Sequence, residues 1–242
     1  MIITIDGPAG SGKSTTARAV ADELDFVYLD TGAMYRAVAL AVLQDADDSL
    51  RAALEKAGSE VPSALDDRLD ETLEAQRIEI RYEGDEQRVL LGGTDVSDRI
   101  REGEVGTMAS RVSEFPSVRR KLVDLQRRIG RRQEQKTGGV VLDGRDTGTV
   151  VFPDADVKIF MDADLDERAR RRREEYADRG ERVSMDDVRE EIRERDRKDR
   201  ERDVAPLRRA DDAVRLDTTN RRFDEQVAFV VRRVKEQETQ GT

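Results

Sequence analysis

Residues 7–14 read Gly7-Pro8-Ala9-Gly10-Ser11-Gly12-Lys13-Ser14, which matches the phosphate-loop pattern G-x-x-x-x-G-K-[S/T] at every fixed position. An apolar run predicts a strand over residues 2–6, before the loop, and apolar residues at helical spacing predict a helix over residues 13–24, after it. A chance match in an ordinary glycine loop would not be expected to have both flanking elements. The sequence therefore predicts a phosphate-binding loop between a strand and a helix.

The chemistry of phosphate binding explains this residue pattern. Glycines allow backbone N–H groups to turn inward around a phosphate chain, and the positive N-terminal end of the following helix adds to the attraction. We expect Lys13 to be an exposed loop charge that reaches the β- and γ-phosphates, and the Ser14 hydroxyl to ligate Mg²⁺. The full set expected to bind ATP is Gly7, Pro8, Ala9, Gly10, Ser11, Gly12, Lys13, Ser14 and Thr15.

Further strands and helices follow the loop in alternation. Strands are predicted over residues 26–30, 139–143, 156–161 and 213–216, and helices over residues 33–43, 101–113, 117–134, 164–202 and 223–234. Strand–helix–strand order at this spacing implies a parallel sheet with right-handed crossovers. The predicted fold class is therefore α/β, a phosphate-loop parallel sheet flanked by helices, in a single domain over residues 1–242. The polar tail over residues 236–242 is expected to fray.

Residues 77–92 differ from the rest of the chain. Apolar and polar residues alternate on either side of a Glu-Gly-Asp-Glu turn at residues 83–86, which predicts a β-hairpin. An antiparallel hairpin within a parallel α/β chain indicates an inserted small antiparallel subdomain, over about residues 62–98. Residues 45–75 are acidic and weakly periodic, and no element is predicted for them.

The composition excludes several kinds of chemistry. The chain has no Cys and no His, so it lacks disulfides, thiol nucleophiles, Cys-based metal sites and histidine general bases. It has neither a basic leader nor an apolar run of about 18 residues, and we expect a cytoplasmic protein without a membrane partner. The net charge of −10 argues against a nucleic-acid partner.

Charge is unusually abundant and unevenly divided between residue types. Charged residues make up 40% of the chain, and only 7 of its 44 basic residues are Lys. An Asp-rich, Lys-poor composition is expected of a surface adapted to high salt. A GC-rich genome, whose codons favour Arg, explains the same composition, and the sequence leaves both explanations open.

Two charged motifs follow predicted strands. Residues 29–36 read LDTGAMYR and residues 141–154 read VLDGRDTGTVVFPD. Open α/β sheets bind ligands at the carboxyl ends of their strands, so both motifs are expected to face a ligand. Asp143 ends an apolar strand, as a metal-binding Walker-B carboxylate would. A carboxylate that only caps the strand is the alternative interpretation.

These motifs carry a resemblance to a known family. LDTGAMYR, DGRDTGTVVFPDA at residues 143–155 and RDRKDRERDVAPL at residues 195–207 resemble bacterial cytidylate kinases, and the resemblance covers nearly the whole chain. It implies phosphorylation of CMP and dCMP to the diphosphate, with ATP and Mg²⁺. The predicted hairpin also resembles that family's insertion in the monophosphate-binding part.

The resemblance implies roles for individual residues. Asp146, Arg119 and Ser110 would read the pairing edge of cytosine, since a carboxylate suits its amino group and a guanidinium with a hydroxyl suits N3 and O2. The other residues implied at the acceptor nucleotide are Asp30, Thr31, Arg36, Arg101, Asp143, Arg145, Arg195, Asp199 and Arg202. Catalysis is implied for Lys13, Arg145, Arg195 and one lid arginine, for which Arg172 is the candidate.

A highly charged helical stretch, which Gly180 interrupts, resembles over about residues 164–190 the two charged helices of the family's mobile lid. Acidic and basic residues are equal in number over residues 167–203, so most of these charges are expected to form salt bridges along helix faces, and a nucleic-acid arm is not expected. Arg195, Asp199 and Arg202 are spaced to share one helical face. The resemblance assigns this trio to the ribose and phosphate of the acceptor.

The implied reaction needs no general base. The second pKa of a phosphate monoester is about 6, so the attacking CMP phosphate is largely ionised at neutral pH, in agreement with a chain that lacks His. Kinases of other small acceptors, such as UMP, shikimate or dephospho-coenzyme A, remain alternatives. So does a phosphate-loop NTPase switch, although the guanine motif N-K-x-D is absent. No sequence feature specifies an assembly, and we expect a monomer.

Overall fold

The computed structural model describes residues 1–45, 48–56, 62–178 and 180–240. The chain divides into two compact units. The core unit comprises Met1–Tyr28, Gln133–Glu201 and Ala205–Thr242, and the second unit comprises Leu29–Arg132 and Arg202–Val204. Within the described ranges, no helix combines the length and the apolar character needed to cross a membrane.

Helices and strands alternate along the described chain. The helices are α1 (Lys13–Glu23), α2 (Thr31–Asp45), α3 (Asp48–Lys56), α4 (Ser63–Ala75), α5 (Gly103–Val112), α6 (Pro116–Thr137), α7 (Leu165–Asp178), α8 (Met185–Glu201) and α9 (Phe223–Gln240). The strands are β1 (Ile2–Asp6), β2 (Val27–Asp30), β3 (Ile78–Glu83), β4 (Glu86–Leu91), β5 (Thr94–Asp95), β6 (Val140–Gly144), β7 (Val157–Asp162) and β8 (Val214–Asp217). Two short turns are also helical, a 3₁₀ turn at Arg99–Arg101 and a π-helical turn at Thr147–Val151.

The core unit is built on a parallel sheet. Its strand order is β2-β6-β1-β7-β8, and the central strand β1 pairs in parallel with both β6 and β7. All residues of β1 and β6 are buried, as expected of strands whose two faces are covered by helices. Val20 of α1 and Val230 of α9 join Ile3 and Ile159 in one apolar core. The predicted α/β class, with a phosphate loop after a sheet strand, is confirmed.

The second unit contains a separate antiparallel sheet of β3, β4 and β5. A two-residue turn, Gly84-Asp85, joins β3 to β4, and Gly84 has a φ of +62°, which favours glycine. The predicted hairpin is therefore confirmed. The boundaries of a monophosphate-binding subdomain over residues 62–98 stay a prediction.

The structure departs from the sequence pattern at residues 45–75 and at the C-terminal tail. Helices α3 and α4 occupy part of residues 45–75, where no element is predicted, and they bury leucines at helical spacing: Leu50, Leu54, Leu65, Leu69 and Leu73. The charged stretch over residues 164–202 forms two helices, α7 and α8, and Gly180 lies between them at a φ of +79°, in agreement with the interruption predicted there; residue 179 lies outside the described residues. Helix α9 continues to Gln240 through residues that favour helix, so the described part of the predicted frayed tail is helical.

Candidate active site

The phosphate loop connects the end of β1 to the start of α1. Gly10 and Gly12 have φ values of +73° and +86°, in the left-handed region that favours glycine. At Gly7 an added Cβ would lie 2.2 Å from the carbonyl oxygen of Met161, so a side chain has no room there. The loop thus takes a path that only these glycines allow, and a backbone cradle around phosphate requires such a path.

The N-terminus of α1 is suited to an anion. The helix has no side-chain cap and no acidic residue in its first turn, so its dipole and its first N–H groups attract negative charge. The hydroxyl of Ser11 is fully buried in the adjoining loop and has no hydrogen-bond partner among the described residues. Both features fit a bound phosphate chain.

Lys13 is buried, which corrects the expectation of an exposed loop charge. The residue is only 8% exposed, and its Nζ donates to the carbonyl oxygen of Pro8 at 3.4 Å. The pKa of Lys13 is lowered to about 7, chiefly by burial and next by the charge of Arg145, whereas Asp143 acts in the opposite direction. A phosphate chain beside Lys13 would favour the protonated amine, so this side chain is poised for a polyanion.

Ser14 and Asp143 meet at the start of α1. The Ser14 hydroxyl donates to Oδ2 of Asp143 at 2.5 Å, and the Tyr28 hydroxyl donates to Oδ1 at 2.7 Å. Asp143 is 3% exposed and is the next-to-last residue of β6. The contact places this carboxylate beside the phosphate loop, where a Walker-B carboxylate lies in other phosphate-loop proteins.

Arg145 and Asp199 form an ion pair in the core unit. The Nε of Arg145 lies 2.9 Å from Oδ2 of Asp199, and both side chains are largely buried. Arg195 lies one turn before Asp199 on α8, as predicted. However, α8 ends at Glu201, so Arg202 follows the helix and belongs to the second unit. The predicted shared helical face therefore applies to Arg195 and Asp199 only.

Asp6 is a residue of this site that the sequence analysis did not single out. Its buried carboxylate accepts hydrogen bonds from the backbone N–H groups of Thr147 and Gly148 and from the Thr147 hydroxyl. These residues directly follow Asp146, the predicted cytosine reader, which is 6% exposed. Burial raises the pKa of Asp6 to about 6, the hydrogen bonds oppose this shift, and the Asp146 charge adds to it. The only signal in the sequence was the position of Asp6 at the end of β1.

Arg172 does not contact the phosphate loop. It donates to Glu175 at 2.9 Å and to Glu191 at 3.4 Å, and its guanidinium lies 4.6 Å from the ring centroid of Tyr176. These partners belong to α7 and α8, so Arg172 joins the two charged helices to each other. The role of Arg172 at the transferred phosphoryl group stays a prediction.

Two other arginines of α7 contact the phosphate loop. Arg168 is 5% exposed, donates to the carbonyl oxygen of Ala9 at 3.3 Å and forms a 2.7 Å ion pair with Asp196 of α8. Arg171 donates to the carbonyl oxygen of Ser11 at 3.3 Å. Both contacts anchor α7 to the loop. Helical spacing could not distinguish these arginines from Arg172, because nearly every position from 168 to 173 is Arg.

In the second unit, some residues assigned to the acceptor nucleotide lie around α2. Asp30 caps α2, since its Oδ1 accepts a hydrogen bond from the N–H of Ala33 at 3.0 Å. Arg36 on α2 donates to the carbonyl oxygen of Ile100 at 3.2 Å. Arg101 is the next residue and is exposed. This arrangement brings Arg36 and the turn that carries Arg101 together.

The other assigned residues of the second unit lie on α2, α5 and α6. Arg119 is 3% exposed, lies 5.7 Å from the ring centroid of Tyr35 and donates to the carbonyl oxygen of Ser113 at 3.2 Å. The hydroxyl of Ser113 donates in turn to the carbonyl oxygen of Ser110 at 2.7 Å. Thr31 is buried at the start of α2. Arg119 and Ser110 are thus linked through one intermediate residue.

A cleft of about 720 Å³ opens in the core unit at the ends of β7 and β8. Its lining includes Thr219, Asn220 and Phe229. The hydroxyl of Thr218, the residue before Thr219, donates to the carbonyl oxygen of Ser11 at 3.0 Å. The residue that precedes Thr219 of the cleft therefore contacts the phosphate loop.

The described residues contain no cluster of three or more acidic side chains able to bind a metal ion by themselves. Ser14 and Asp143 supply two oxygen atoms at the loop, and oxygen is the ligand that Mg²⁺ prefers. Two such oxygens fit a cation that takes its other ligands from a bound polyphosphate and water.

Positive charge converges on the phosphate loop from the α1 terminus, Lys13, Arg145 and Arg195, and a chain of phosphates is the ligand that matches it. Together with the parallel sheet, this charge defines a nucleotide-binding phosphotransferase of the P-loop class. The model of one family, cytidylate kinase, matches residues 3–236. The chain belongs to the cytidylate kinase family, and the resemblance inferred from its motifs is confirmed.

Similar proteins match this chain over most of its length. A protein named cytidylate kinase from Salinibacter ruber is 55% identical over 100% of both chains. Another with the same name, from Chloroherpeton thalassium, is 47% identical over 95% of this chain and 91% of its own. A third, from Chlorobaculum tepidum, is 45% identical over 99% of this chain and 96% of its own.

Proposed function

We propose that this chain transfers the γ-phosphoryl group of ATP to CMP and dCMP. A CMP phosphate oxygen attacks the γ-phosphorus, the bond from that phosphorus to the β–γ bridging oxygen breaks, and the products are CDP and ADP. The observation that carries the proposal is the cytidylate kinase family match over residues 3–236, which includes the phosphate loop. The names of the similar proteins support the same reaction.

The residues of the core unit account for catalysis by positioning and charge neutralisation. Residues 7–15 would cradle the triphosphate, with Lys13 against its terminal phosphates. Arg145 and Arg195 would offset the negative charge that spreads over the transferred group. The acceptor phosphate is already ionised at neutral pH, so no proton needs to be removed and the absence of His is no obstacle.

Mg²⁺, when bound with ATP, would supply positive charge that offsets the charge of the phosphates. Ser14 is proposed as its protein ligand, and the hydrogen bond to Asp143 supports a role for that carboxylate in orienting the hydroxyl. The cleft beside Thr219 is proposed to take the donor nucleoside.

The acceptor nucleotide is proposed to bind through the residues that the resemblance assigns to it. Asp146, Arg119 and Ser110 would read the cytosine edge, because one acceptor and two donors complement its amino group, N3 and O2. The residues proposed for the ribose, the phosphate and the mouth of the site are Asp30, Thr31, Arg36, Arg101, Asp143, Arg145, Arg195, Asp199 and Arg202. A monophosphate-binding subdomain over about residues 62–98 and a lid over about residues 164–190 complete the proposal. Lid closure would exclude water, which otherwise competes as acceptor.

We also propose a cytoplasmic monomer without a nucleic-acid or membrane partner. The net charge of −10 supports this, because a polyanionic partner would be repelled. The contacts within α7 and α8 also support it, since many of their arginines are already paired with acidic residues.

A coupled assay of ADP formation tests the proposed reaction. The chain is incubated with ATP, Mg²⁺ and one acceptor at a time: CMP, dCMP, UMP, AMP, shikimate or dephospho-coenzyme A. We expect CMP and dCMP to be used far better than the others. Equal efficiency with UMP would contradict the cytosine-reading set, and preference for a different acceptor would contradict the reaction. Slow ATP hydrolysis that CMP leaves unchanged would indicate an NTPase switch instead.

A further inference from the structure

Both oxygens of the Asp6 carboxylate accept hydrogen bonds from Thr147 and Gly148, which are distant in sequence. Its Oδ1 accepts from the Thr147 N–H at 2.9 Å and from the Thr147 hydroxyl at 2.8 Å, and its Oδ2 accepts from the Gly148 N–H at 2.8 Å. Asp6 is 5% exposed and lies on the central strand of the sheet. The three donors match both oxygens of an ionised carboxylate, and a neutral apolar residue would leave all three without an acceptor.

The segment that Asp6 binds is tightly confined. At Gly148 an added Cβ would lie 2.8 Å from the Thr4 hydroxyl oxygen, which leaves no room for a side chain between the turn and β1. The turn closes on itself through the carbonyl oxygen of Asp146, which accepts from Val150 and Val151 at 2.9 and 3.2 Å. A π-helical turn of this kind often occurs at functional sites and depends on its surroundings for stability.

Asp6 also connects the phosphate loop to the π-helical turn at Thr147–Val151. Gly7, the first residue of the phosphate loop, follows it directly, while Arg145 and Asp146 directly precede the residues it binds. Arg145 lies near enough to Lys13 to lower its pKa. One buried side chain therefore fixes the segment that carries Arg145 and Asp146 relative to the phosphate loop.

We propose that Asp6 is a positioning residue, which sets the place of Arg145 and Asp146 for the acceptor nucleotide through its hydrogen bonds to Thr147 and Gly148. The proposal rests on the proposed function for the identity of that acceptor. Asp6 would act through these hydrogen bonds and not by contact with the nucleotide. A small shift of a positioned group can cost about a hundredfold in rate, so an indirect residue of this kind is expected to matter.

The first test compares Asp6→Asn with the parent chain. Asparagine keeps the size of aspartate but offers one acceptor oxygen and an amide that cannot accept, so either Gly148 or Thr147 loses its partner. We expect the KM for CMP to rise about tenfold to a hundredfold, as for the loss of a hydrogen bond to a charged group. The affinity for a non-hydrolysable ATP analogue should change little.

A matched pair at Thr147 separates positioning from general damage. Thr147→Val removes only the hydroxyl donor and should raise the KM for CMP in the same direction, whereas Thr147→Ser keeps the donor and should retain the parental KM. Combining Asp6→Asn with Thr147→Val should cost less than the sum of the single changes, because both act on one network. If Asp6→Asn fails to fold, the two Thr147 variants still test whether this hydrogen-bond network positions the acceptor site.

Hydrogen exchange of the peptide containing residues 145–150 gives a readout that does not depend on activity. In the free chain, Asp6→Asn should speed exchange in this peptide while exchange in α9 stays at the parental rate. An unchanged KM for CMP with unchanged exchange would overturn the proposal, and so would an equal loss of ATP and CMP affinity. If the parent chain does not phosphorylate CMP, the proposed function fails, and hydrogen exchange alone decides whether Asp6 holds this segment.

Discussion

The hydroxyl of Ser14 lies 2.5 Å from a carboxylate oxygen of Asp143, although 129 residues separate them in the sequence. The contact joins the first turn of α1 to the end of β6, beside the phosphate loop. The other oxygen of Asp143 is taken by Tyr28, so this carboxylate is held in one orientation. The arrangement supports the role proposed for Asp143 in orienting the Ser14 hydroxyl.

Replacement of Ser14 should raise the requirement for Mg²⁺. In Ser14→Ala the proposed metal-binding hydroxyl is lost, and we expect half-maximal activity to need roughly tenfold more Mg²⁺ at saturating ATP. Tyr28→Phe is the matched control, because it removes the other hydrogen bond to Asp143 and leaves the Ser14 contact in place. The measurement is kcat against Mg²⁺ concentration. Identical Mg²⁺ curves for Ser14→Ala and the parent would remove Ser14 from the metal site.

Replacement of Lys13 should abolish most activity without unfolding the protein. Lys13→Ala removes the buried amine, and kcat should fall about a hundredfold to a thousandfold, as for other lost stabilisers of transition-state charge. The pKa of this amine is lowered by burial, so its charge does not stabilise the fold, and the melting temperature should not fall below that of the parent. Lys13→Met keeps the aliphatic packing and should lose as much activity. Near-normal turnover by Lys13→Met would contradict the phosphate-loop assignment.

The parts of the fold that the sequence could predict are those encoded locally. The phosphate loop, the strands beside it and the hairpin at β3 and β4 follow from short patterns whose spacing fixes the structure. The partner of Asp6 could not be predicted, because its contact with Thr147 spans 141 residues and depends on β1 and β6 being neighbours. The contacts of Arg168 and Arg171 with the phosphate loop could not be predicted for a similar reason. Tertiary packing decides which face of α7 contacts the phosphate loop. A run of arginines does not indicate that face, because arginines occur on all sides of the helix.

Stability should rise with salt if the composition reflects adaptation to high salt. At a net charge of −10 the surface repels itself, and ions screen this repulsion over a Debye length of about 8 Å at ~0.15 M. We expect the melting temperature to increase between low and molar KCl. Sucrose at equal osmolality is the control for general exclusion from the surface, and it should have a smaller effect. A melting temperature that KCl leaves unchanged would favour the codon-bias explanation.

Ionisation of Asp6 should make the folded state less stable as the pH rises. Its pKa in the fold is raised to about 6 from an ordinary value of 3.8, so the folded state binds the proton more tightly than the unfolded state does. The associated stability is complete below about pH 4 and is lost as the pH rises through about 6, by about 3 kcal/mol in total. The charged groups beside Asp6 and its turn are Asp146, whose charge raises the pKa of Asp6, and Lys158, whose chain lies beside Gly148.

Urea unfolding of the parent and of Asp6→Asn measures this effect. The free energy of unfolding of the parent, relative to the variant, should decrease between about pH 4 and pH 7, because asparagine does not titrate. Other groups titrate in both proteins and cancel in the difference. A difference that grows with pH would mean that the three hydrogen bonds outweigh burial and depress the pKa of Asp6.

Replacement of Asp146 should damage the use of CMP selectively. In the proposed site Asp146 accepts the amino hydrogens of cytosine, and its loss leaves that donor unpaired, at a cost of about 1–3 kcal/mol. Since ~1.4 kcal/mol is a factor of ten, Asp146→Ala should lower kcat/KM for CMP about tenfold to over a hundredfold. Uracil presents an acceptor at the same position, which the carboxylate repels. The loss for UMP should therefore be smaller, and the CMP/UMP ratio of kcat/KM should fall.

The structure makes this a sharp test of base recognition. The hydrogen bonds that Val150 and Val151 make to Asp146 use its backbone carbonyl oxygen, so substitution of the side chain leaves the turn closed. Asp146→Asn keeps a neutral acceptor and should fall between the parent and Asp146→Ala in the CMP/UMP ratio. The affinity for ATP depends on the phosphate loop and should change little in either variant. An equal loss for both acceptors would mean that Asp146 acts by orienting Arg145, and the cytosine-reading role would then be withdrawn while the kinase assignment stands.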